Sequence, residues 1–156
     1  MKKSLLHRVL EGNEEAIAMF GEADNCAVID WKAGPLDIVE AIADFLPDGY
    51  LTLGRVTATS CELMVTGKRP FCAQILSRAT QENLLLSINQ AVQPEYELRQ
   101  FRPSYGDGYS LYVAPRSVWS EIERSNPEAS ESLFLSAPRL AAYWSKSYLV
   151  RMFSKP

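Results

Sequence analysis

The sequence predicts a single α+β domain over residues 1–156, with a mixed or antiparallel sheet in the order β-α-β-β-β-α-β-β-α behind an N-terminal helical arm. Short β-branched or alternating runs, typical of strands, are separated by segments whose apolar residues recur every three or four positions, as in amphipathic helices. The length agrees with this class, since a folded chain of 156 residues buries roughly 68–70% of the surface that it exposes when unfolded.

The first part of the chain predicts two helices, a strand and a third helix. The two helices span 4–10 and 14–20 and form the arm. A short apolar run predicts a buried strand over 26–31, and a Gly-Pro pair then opens a helix over 35–46. The apolar face of that helix is predicted to contain Leu36, Val39, Ile42, Ala43 and Leu46.

The remaining segments alternate between the same two patterns. The predicted elements are, in order, strands over 50–57, 61–66 and 70–76, a helix over 80–92, strands over 95–102 and 110–114, and a helix over 115–124. Asn126-Pro127 is predicted to end this last helix, because proline cannot continue one. Beyond it the apolar residues fit neither period cleanly, and we expect a helix over 139–147 followed by a strand over 148–153.

Aromatic and thiol side chains are expected to complete the core. Trp31 at a strand end and Trp119 in an amphipathic helix are predicted to pack inside. Cys26, Cys61 and Cys72 form no CxxC pair, and their odd number favours buried, reduced thiols over a disulfide framework.

The sequence carries no motif for catalysis or cofactor binding. Its one histidine, His7, is far in sequence from every cysteine, which argues against a thiol nucleophile and against a zinc site. Rossmann, P-loop, nucleophile-elbow and HExxH motifs do not occur. Asp107 lies between two glycines, where aspartate more often shapes a turn than acts as a catalytic carboxylate. We therefore predict a protein that is not an enzyme and that uses no cofactor or metal.

The acidic residues are concentrated in one part of the chain. From Glu11 to Asp48 there are ten acidic residues against the single lysine Lys32, a net charge of −9, so the rest of the chain carries +6 of the total −3. A chain with this total charge and a pI near 5.2 is not expected to bind nucleic acid, which needs a basic surface.

The third helix would place several of these carboxylates on one face. Asp37, Glu40 and Asp44 step by three and four residues, and Asp48 prolongs the line past the helix end. Such a stripe is typical of a solvated face, and it is also the pattern of an acidic docking surface for a basic protein partner. These four residues, with Asp107, are the candidate partner-binding residues.

The C-terminal segment interleaves basic residues with aromatic ones. This mixture occurs in nucleic-acid-binding proteins, but a terminal element whose aromatic rings complete the core while its charges stay in water is the more ordinary explanation. The basic residues are Arg139, Lys146, Arg151 and Lys155.

The sequence gives no sign of membrane insertion or export. It lacks a run of the roughly 18 apolar residues that a transmembrane helix needs. The N-terminal MKKSLLHRVL begins like a signal peptide, but His7 and Arg8 interrupt its apolar run. We therefore expect a cytoplasmic protein without membrane contact.

Three pieces of the sequence, in this order, resemble a known class of protein. They are IDWK at 29–32 with DIV at 37–39, IN at 88–89 with PEYELR at 94–99, and VAP at 113–115 with WSEIE at 119–123. Over about 26–124 the chain is thereby similar to small bacterial immunity proteins that accompany polymorphic or contact-dependent toxins. The serine–aspartate stretch usual in that class is only approximated, by SYGD at 104–107.

The resemblance implies a non-enzymatic cytoplasmic protein that binds a cognate toxin domain and blocks its active site or substrate surface. Many such toxins are basic, so an acidic stripe would suit this task. Two alternatives stay open: a small-ligand-binding module or small enzyme whose pocket gathers Tyr105, Asp107 and Tyr109, and a homo-oligomer that pairs through an exposed strand edge.

Overall fold

A computed structural model describes residues 4–22, 24–75, 80–103 and 108–144 of the chain. These residues form seven helices and seven strands. The helices are α1 (Leu5–Leu10), α2 (Glu14–Phe20), α3 (Pro35–Ala43), α4 (Thr80–Val92), α5 (Arg116–Ser125), α6 (Pro127–Leu133) and α7 (Ala137–Trp144). The strands are β1 (Ala27–Ile29), β2 (Leu51–Val56), β3 (Ser60–Val65), β4 (Phe71–Gln74), β5 (Tyr96–Phe101), β6 (Tyr109–Pro115) and β7 (Phe134–Leu135).

Side-chain caps fix the starts of the two N-terminal helices. The Ser4 hydroxyl accepts a hydrogen bond from the backbone N–H of His7, and the Asn13 side chain accepts one from the N–H of Ala16. Gly12, between the helices, has φ +79°, a conformation that glycine adopts without steric cost. The predicted helical arm is therefore confirmed.

The strands form two antiparallel sheets rather than one. Sheet A has the order β1-β6-β5-β7, and sheet B has the order β2-β3-β4. In sheet A, Leu98 of β5 lies opposite Val113 of β6, and Ala27 of β1 lies opposite Leu111. The α+β class is confirmed, as is the antiparallel form of pairing. Periodicity does not indicate the division into two sheets, because it reports strands and not their partners.

The central strands of sheet A, β5 and β6, are covered on both faces, because their residues alternate between two hydrophobic cores. In β6, Leu111 and Val113 face the first core, while Tyr112 and Ala114 face the second. The first core lies between the two sheets and helices α3 and α4, and the second is closed by α1, α2 and α5. The strands of sheet A therefore need apolar residues at consecutive positions.

Five aromatic rings fill the second core, and their contacting centroids lie 5.1–6.0 Å apart. All of these pairs meet edge to face or at a tilt, which adds specific attraction to the burial of apolar area. The rings belong to Phe20, Phe101, Tyr112, Trp119 and Phe134. Trp119 is fully buried, as predicted.

A buried ion network joins β5 to α5. Arg99, only 5% exposed, donates through Nε to Glu97 at 2.7 Å and through Nη2 to Glu123. Its guanidinium lies 4.3 Å from the centre of the Trp119 ring, whose Nε1 donates to the carbonyl of Glu97. Burial alone would raise the pKa of Glu123, but hydrogen bonds and charge from Arg99 and Arg116 lower it. The charges that β5 directs inward therefore neutralise each other.

Lys68, in the turn between β3 and β4, ties sheet B to the rest of the fold. Its ammonium donates to the carbonyl oxygens of Ala91, at 3.1 Å, and Gln93, and to the carboxylate of Glu95. The first two acceptors lie at the C-terminal end of α4, where a cation is favoured by the free carbonyl groups. The hairpin turn therefore also anchors its sheet to α4 and to the start of β5.

The C-terminal part of the fold departs from the prediction. Asn126 ends α5 as expected, but Pro127 begins a further helix, α6, because a proline in the first turn lacks only an N–H that needs no helical partner. That helix leads into β7, in which Phe134 lies opposite Phe101 of β5. Helix α7 begins before the predicted start at 139, and the strand predicted over 148–153 lies outside the described residues.

The ion network predicts a large loss of stability when its cation is removed. Arg99→Met leaves Glu97 buried without its main partner, and we expect the free energy of unfolding to fall by about 3 kcal/mol in urea titrations. Arg124→Met is the control, because the pair between Arg124 and Glu121 is exposed and should contribute at most about 1 kcal/mol. Equal stabilities of the two variants would contradict this description of the network.

Candidate functional site

The chain turns sharply after β1, and hydrogen bonds hold the turn. The Oδ1 atom of Asp30 accepts from the backbone N–H of Lys32 at 2.7 Å, which makes an Asx turn. The Asp30 carbonyl accepts from the N–H of Ala33 at 2.9 Å. The side-chain amide of Gln81, on α4, donates to the carbonyls of Asp30 and Ala33 at 3.0 Å each. Trp31 is thereby presented on a fixed loop.

The same turn leads directly into α3. Pro35 occupies the first helical position, where its missing N–H needs no partner. The Oδ2 atom of Asp37 accepts from the N–H of Gly34 at 2.9 Å, and a carboxylate at this end is also favoured by the helix dipole. The side of the helix that faces the first core contains Ile38, Val39 and Ile42.

Two side chains predicted to lie in the core are exposed. Trp31 is 58% exposed, because β1 ends at Ile29 and the Asx turn carries the chain out of the sheet. Leu36 is 53% exposed, because a helix rotates by about 100° per residue and places Ile38 nearer the centre of the buried side. With Val28 of β1, which is 47% exposed, three large apolar side chains face water on adjoining elements.

The acidic stripe lies on the exposed side of α3. Asp37, Glu40 and Asp44 are exposed and lie opposite the buried residues of the helix. Asp48 is also exposed, in the loop that follows. Asp107 lies outside the described residues. Four of the five candidate residues are therefore at the surface, and Asp37 also caps its own helix.

We define the Trp31 surface as six side chains from the end of β1, the turn and the first two turns of α3: Val28, Asp30, Trp31, Leu36, Asp37 and Glu40. A solvent-open cavity of about 330 Å³ lies between the end of β1, the turn and the start of α3. The cavity is lined by Val28, Ile29, Asp30, Lys32, Ala33 and Asp37. The fold therefore brings the carboxylates of Asp30 and Asp37 to the border of one cavity.

Lys32 places a positive charge at this cavity. Its ammonium nitrogen lies 4.6 Å from the centre of the Trp31 ring, a cation–π contact. Since Asp30 and Asp37 are also in the lining, the cavity walls have a net negative charge. The Trp31 ring therefore already holds a cation that comes from its own chain.

Two other solvent-open clefts among the described residues are comparable in size. One, of about 240 Å³, lies beside the ion network and is lined by Arg99, Glu123 and Arg139 among others, so its charges are largely balanced. The other, of about 450 Å³, is a mainly apolar groove between α1 and α5. Neither cleft combines an exposed tryptophan with unpaired carboxylates.

Of the three residues expected to line the alternative small-ligand pocket, Tyr109 lies within the described residues. The Tyr109 hydroxyl donates a hydrogen bond to Glu82 of α4 at 2.8 Å, while Tyr105 and Asp107 lie outside the described residues.

Within the described ranges, no group of three histidine, cysteine or acidic side chains is placed to hold a metal ion. In those same ranges, no helix has the length and apolar character needed to cross a membrane.

The three cysteines are free thiols in two different environments. Cys26 and Cys61 are buried, and burial raises the pKa of both thiols, that of Cys26 to about 12. Cys72 is exposed, contrary to the prediction, because it faces outward from β4 opposite Glu62. A raised pKa removes thiolate, so the two buried cysteines are poor nucleophiles.

Comparison with known proteins gives no relative of this chain: no protein-family model matches it, and no curated protein or solved structure does so significantly. The resemblance of the three sequence pieces to immunity proteins stays a prediction.

The contrast between the two tryptophans predicts unequal effects of their replacement on the free energy of unfolding. Trp31→Ala should change the free energy of unfolding by less than about 0.5 kcal/mol, because its ring is largely in water. Trp119→Ala should lower that free energy by about 3–5 kcal/mol, because its ring is fully buried among other aromatic rings. Urea unfolding monitored by circular dichroism measures both, and a large loss for Trp31→Ala would show that the ring packs inside.

The thiols are expected to differ in reactivity. With Ellman's reagent at neutral pH, Cys72 should react rapidly in the native protein, and Cys26 and Cys61 should react only on unfolding. A Cys72→Ser variant should lack the rapid phase. Rapid reaction of that variant would contradict the burial of the other two thiols.

Proposed function

We propose that this chain is a non-enzymatic binding protein of the immunity type, which neutralises a cognate toxin by covering a basic surface of that toxin with its own acidic one. The observation that carries the proposal is the exposed Trp31 ring on a hydrogen-bonded turn that leads directly into α3, whose exposed side carries carboxylates. Protein binding requires complementary shape and charge, and no covalent bond is made or broken. These groups are therefore sufficient for it.

Trp31 supplies the apolar anchor of the proposed interface. Tryptophan is among the residues whose truncation costs most binding energy at protein interfaces. A partner that covers the ring removes apolar area from water, which is worth roughly 25 cal/mol per Å². Because Asp30 and Gln81 already order the turn, little conformational freedom is lost on binding.

The carboxylates supply the charge. Among the described residues, Glu40, Asp44 and Asp48 form no ion pair, and Asp37 accepts from a backbone N–H rather than from a cation. A basic partner would be drawn to this segment, whose net charge from 11 to 48 is −9. Charge pairs at the rim would mainly increase the association rate and fix the orientation.

The sequence resemblance supports the same surface. The first of the three pieces that resemble immunity proteins, IDWK at 29–32 with DIV at 37–39, contains Trp31 and Asp37. This piece forms the turn and the start of α3. The residues that carry the resemblance and the residues that carry the geometry therefore overlap.

Charge reversal of the stripe should abolish partner binding. We expect the tagged protein to retain a basic protein from a lysate of its source cells at low salt and to release it at high salt, because salt screens exposed charges. The triple variant Asp37→Lys, Glu40→Lys and Asp44→Lys should bind that protein at least about tenfold more weakly. Trp31→Ala should weaken binding to a similar extent with little change in its salt dependence.

A matched control carries the same change in charge elsewhere: Glu121→Lys, Glu128→Lys and Glu131→Lys, all at exposed positions outside the acidic segment from 11 to 48. Expression of the retained protein alone should arrest growth, and coexpression with the wild-type chain or this control should restore it. Rescue by the triple stripe variant as good as rescue by the wild type would contradict the proposed function.

A further inference from the structure

We infer that the cleft beside the ion network, between β5, α5, α6 and α7, binds a phosphoryl group, carried by inorganic phosphate or by a small phosphate ester. This inference goes beyond the proposed function, because the cleft shares no residue with the Trp31 surface. The juxtaposition that supports it is a buried arginine, a buried serine hydroxyl without a partner and the N-terminal end of a helix, all on the wall of one cavity of about 240 Å³.

Two serine hydroxyls on the cleft wall make no hydrogen bond to the described residues. Ser130 is the buried residue of α6 and only 4% exposed, and Ser136 immediately precedes α7. By contrast, the hydroxyl of Ser132, also on α6, donates to the carbonyl of Ala129. Since nearly all buried polar groups in proteins are hydrogen-bonded, the Ser130 hydroxyl is expected to bond to what fills the cleft.

Arg99 provides a cation that is already held in place. Its Nε and Nη2 atoms donate to Glu97 and Glu123, and its guanidinium lies 4.3 Å from the centre of the Trp119 ring. Its third nitrogen, Nη1, makes no hydrogen bond within the described part of the chain, and Arg99 lines the cleft. A guanidinium fixed in this way loses little conformational freedom when it binds an anion.

The start of α7 adds a second cation and a favourable dipole. Ser136 precedes this helix and Arg139 lies in its first turn, and both line the cleft. The Nη1 atom of Arg139 donates to the carbonyl of Glu131 at 3.1 Å, which leaves the Nε and Nη2 atoms available to a ligand. Backbone N–H groups at the N-terminus of a helix also attract anions.

Two carboxylates line the same cleft, and both are already compensated. Glu123 accepts through Oε1 from Arg99 and through Oε2 from Arg116 at 3.3 Å. The side chain of Glu131 is 77% exposed and lies 3.5 Å from Arg139, which makes a weak pair in water. An anion that enters the cleft therefore meets hydrogen-bond donors without an uncompensated acid beside them.

A phosphoryl group fits these donors better than a carboxylate does. Its oxygens are arranged tetrahedrally, so it accepts at once from guanidinium, hydroxyl and backbone N–H groups on different elements, whereas the two oxygens of a carboxylate lie in one plane. The volume of about 240 Å³ is below the roughly 300–1,000 Å³ that is usual for small-molecule sites. The size therefore favours phosphate or a small ester over a nucleotide.

Two-dimensional NMR of the full chain, titrated with inorganic phosphate near neutral pH, tests the inference. Sodium chloride keeps the ionic strength constant, and acetate is the control anion. We expect the Arg99 Nε–H and the backbone amides of 130–140 to shift saturably, with a Kd of about 1 mM for phosphate and at least about tenfold weaker binding of acetate. Glycerol 3-phosphate distinguishes the sources: tighter binding than phosphate indicates an ester, and weaker binding indicates inorganic phosphate.

The hydroxyl can be removed without loss of a contact in the fold. Ser130→Ala should leave the urea unfolding midpoint unchanged and weaken phosphate binding about fivefold, because one hydrogen bond to a charged group is lost. Ser132→Ala, the same change on the same helix, is the matched control and should leave the affinity unchanged.

The charges are tested separately. Arg139→Gln should weaken phosphate binding about tenfold, and Glu131→Gln, which removes the acid beside Arg139, should strengthen it about twofold. Arg124→Gln, another exposed arginine that pairs with a glutamate on its own helix, is the control and should have no effect.

Absence of saturable shifts up to about 20 mM phosphate, equal binding of acetate, or unchanged affinity in both Ser130→Ala and Arg139→Gln would each overturn the phosphoryl site. Such a result is distinguishable from failure of the proposed function. Neither Ser130 nor Arg139 belongs to the Trp31 surface, so partner binding and phosphate binding are measured on separate residues.

Discussion

Burial of both faces of β5 and β6, the central strands of sheet A, is the constraint on which the rest of this structure depends. Leu111 and Val113 of β6 enter one core while Tyr112 and Ala114 enter the other, so the strand has no solvent side along which charge can be placed. Where β5 nevertheless carries Glu97 and Arg99, their charges must be compensated inside, and Glu123 and Trp119 of α5 provide that compensation. The sheet therefore determines where helices and charges can lie.

The Trp31 surface lies where the sheet ends. Strand β1 is an edge strand of sheet A with Val28 facing water, and Asp30 and Gln81 hold the turn by which the chain leaves it. Helix α3 then uses its apolar side to close the first core and leaves its carboxylates in water. A rigid exposed tryptophan beside unpaired acids is thus built from fold contacts and is available to a partner without rearrangement.

Sequence periodicity predicts most of the helices and strands, because each element buries residues at regular and closely spaced positions. Examples are the N-terminal arm, α3, α4 and the β5–β6 hairpin. It places the acidic stripe at the surface for the same reason. It fails at Trp31, where Asp30 accepts a hydrogen bond from the Lys32 N–H and the chain turns out of the sheet after Ile29, and at Pro127, which starts a helix rather than stopping one. Neither the division into two sheets nor the partners of Arg99 can be predicted this way, because both depend on contacts between segments distant in sequence.

Hydrogen–deuterium exchange of the chain, alone and with the protein that it retains, tests the central claim most directly. If the Trp31 surface is the interface, amides over 28–40 should exchange more slowly in the complex, while those of α1 and α5, which border the other large groove, should be unaffected. Protection confined to α1 and α5, or to the cleft beside Arg99, with none over 28–40, would contradict the account and place the partner elsewhere on the fold.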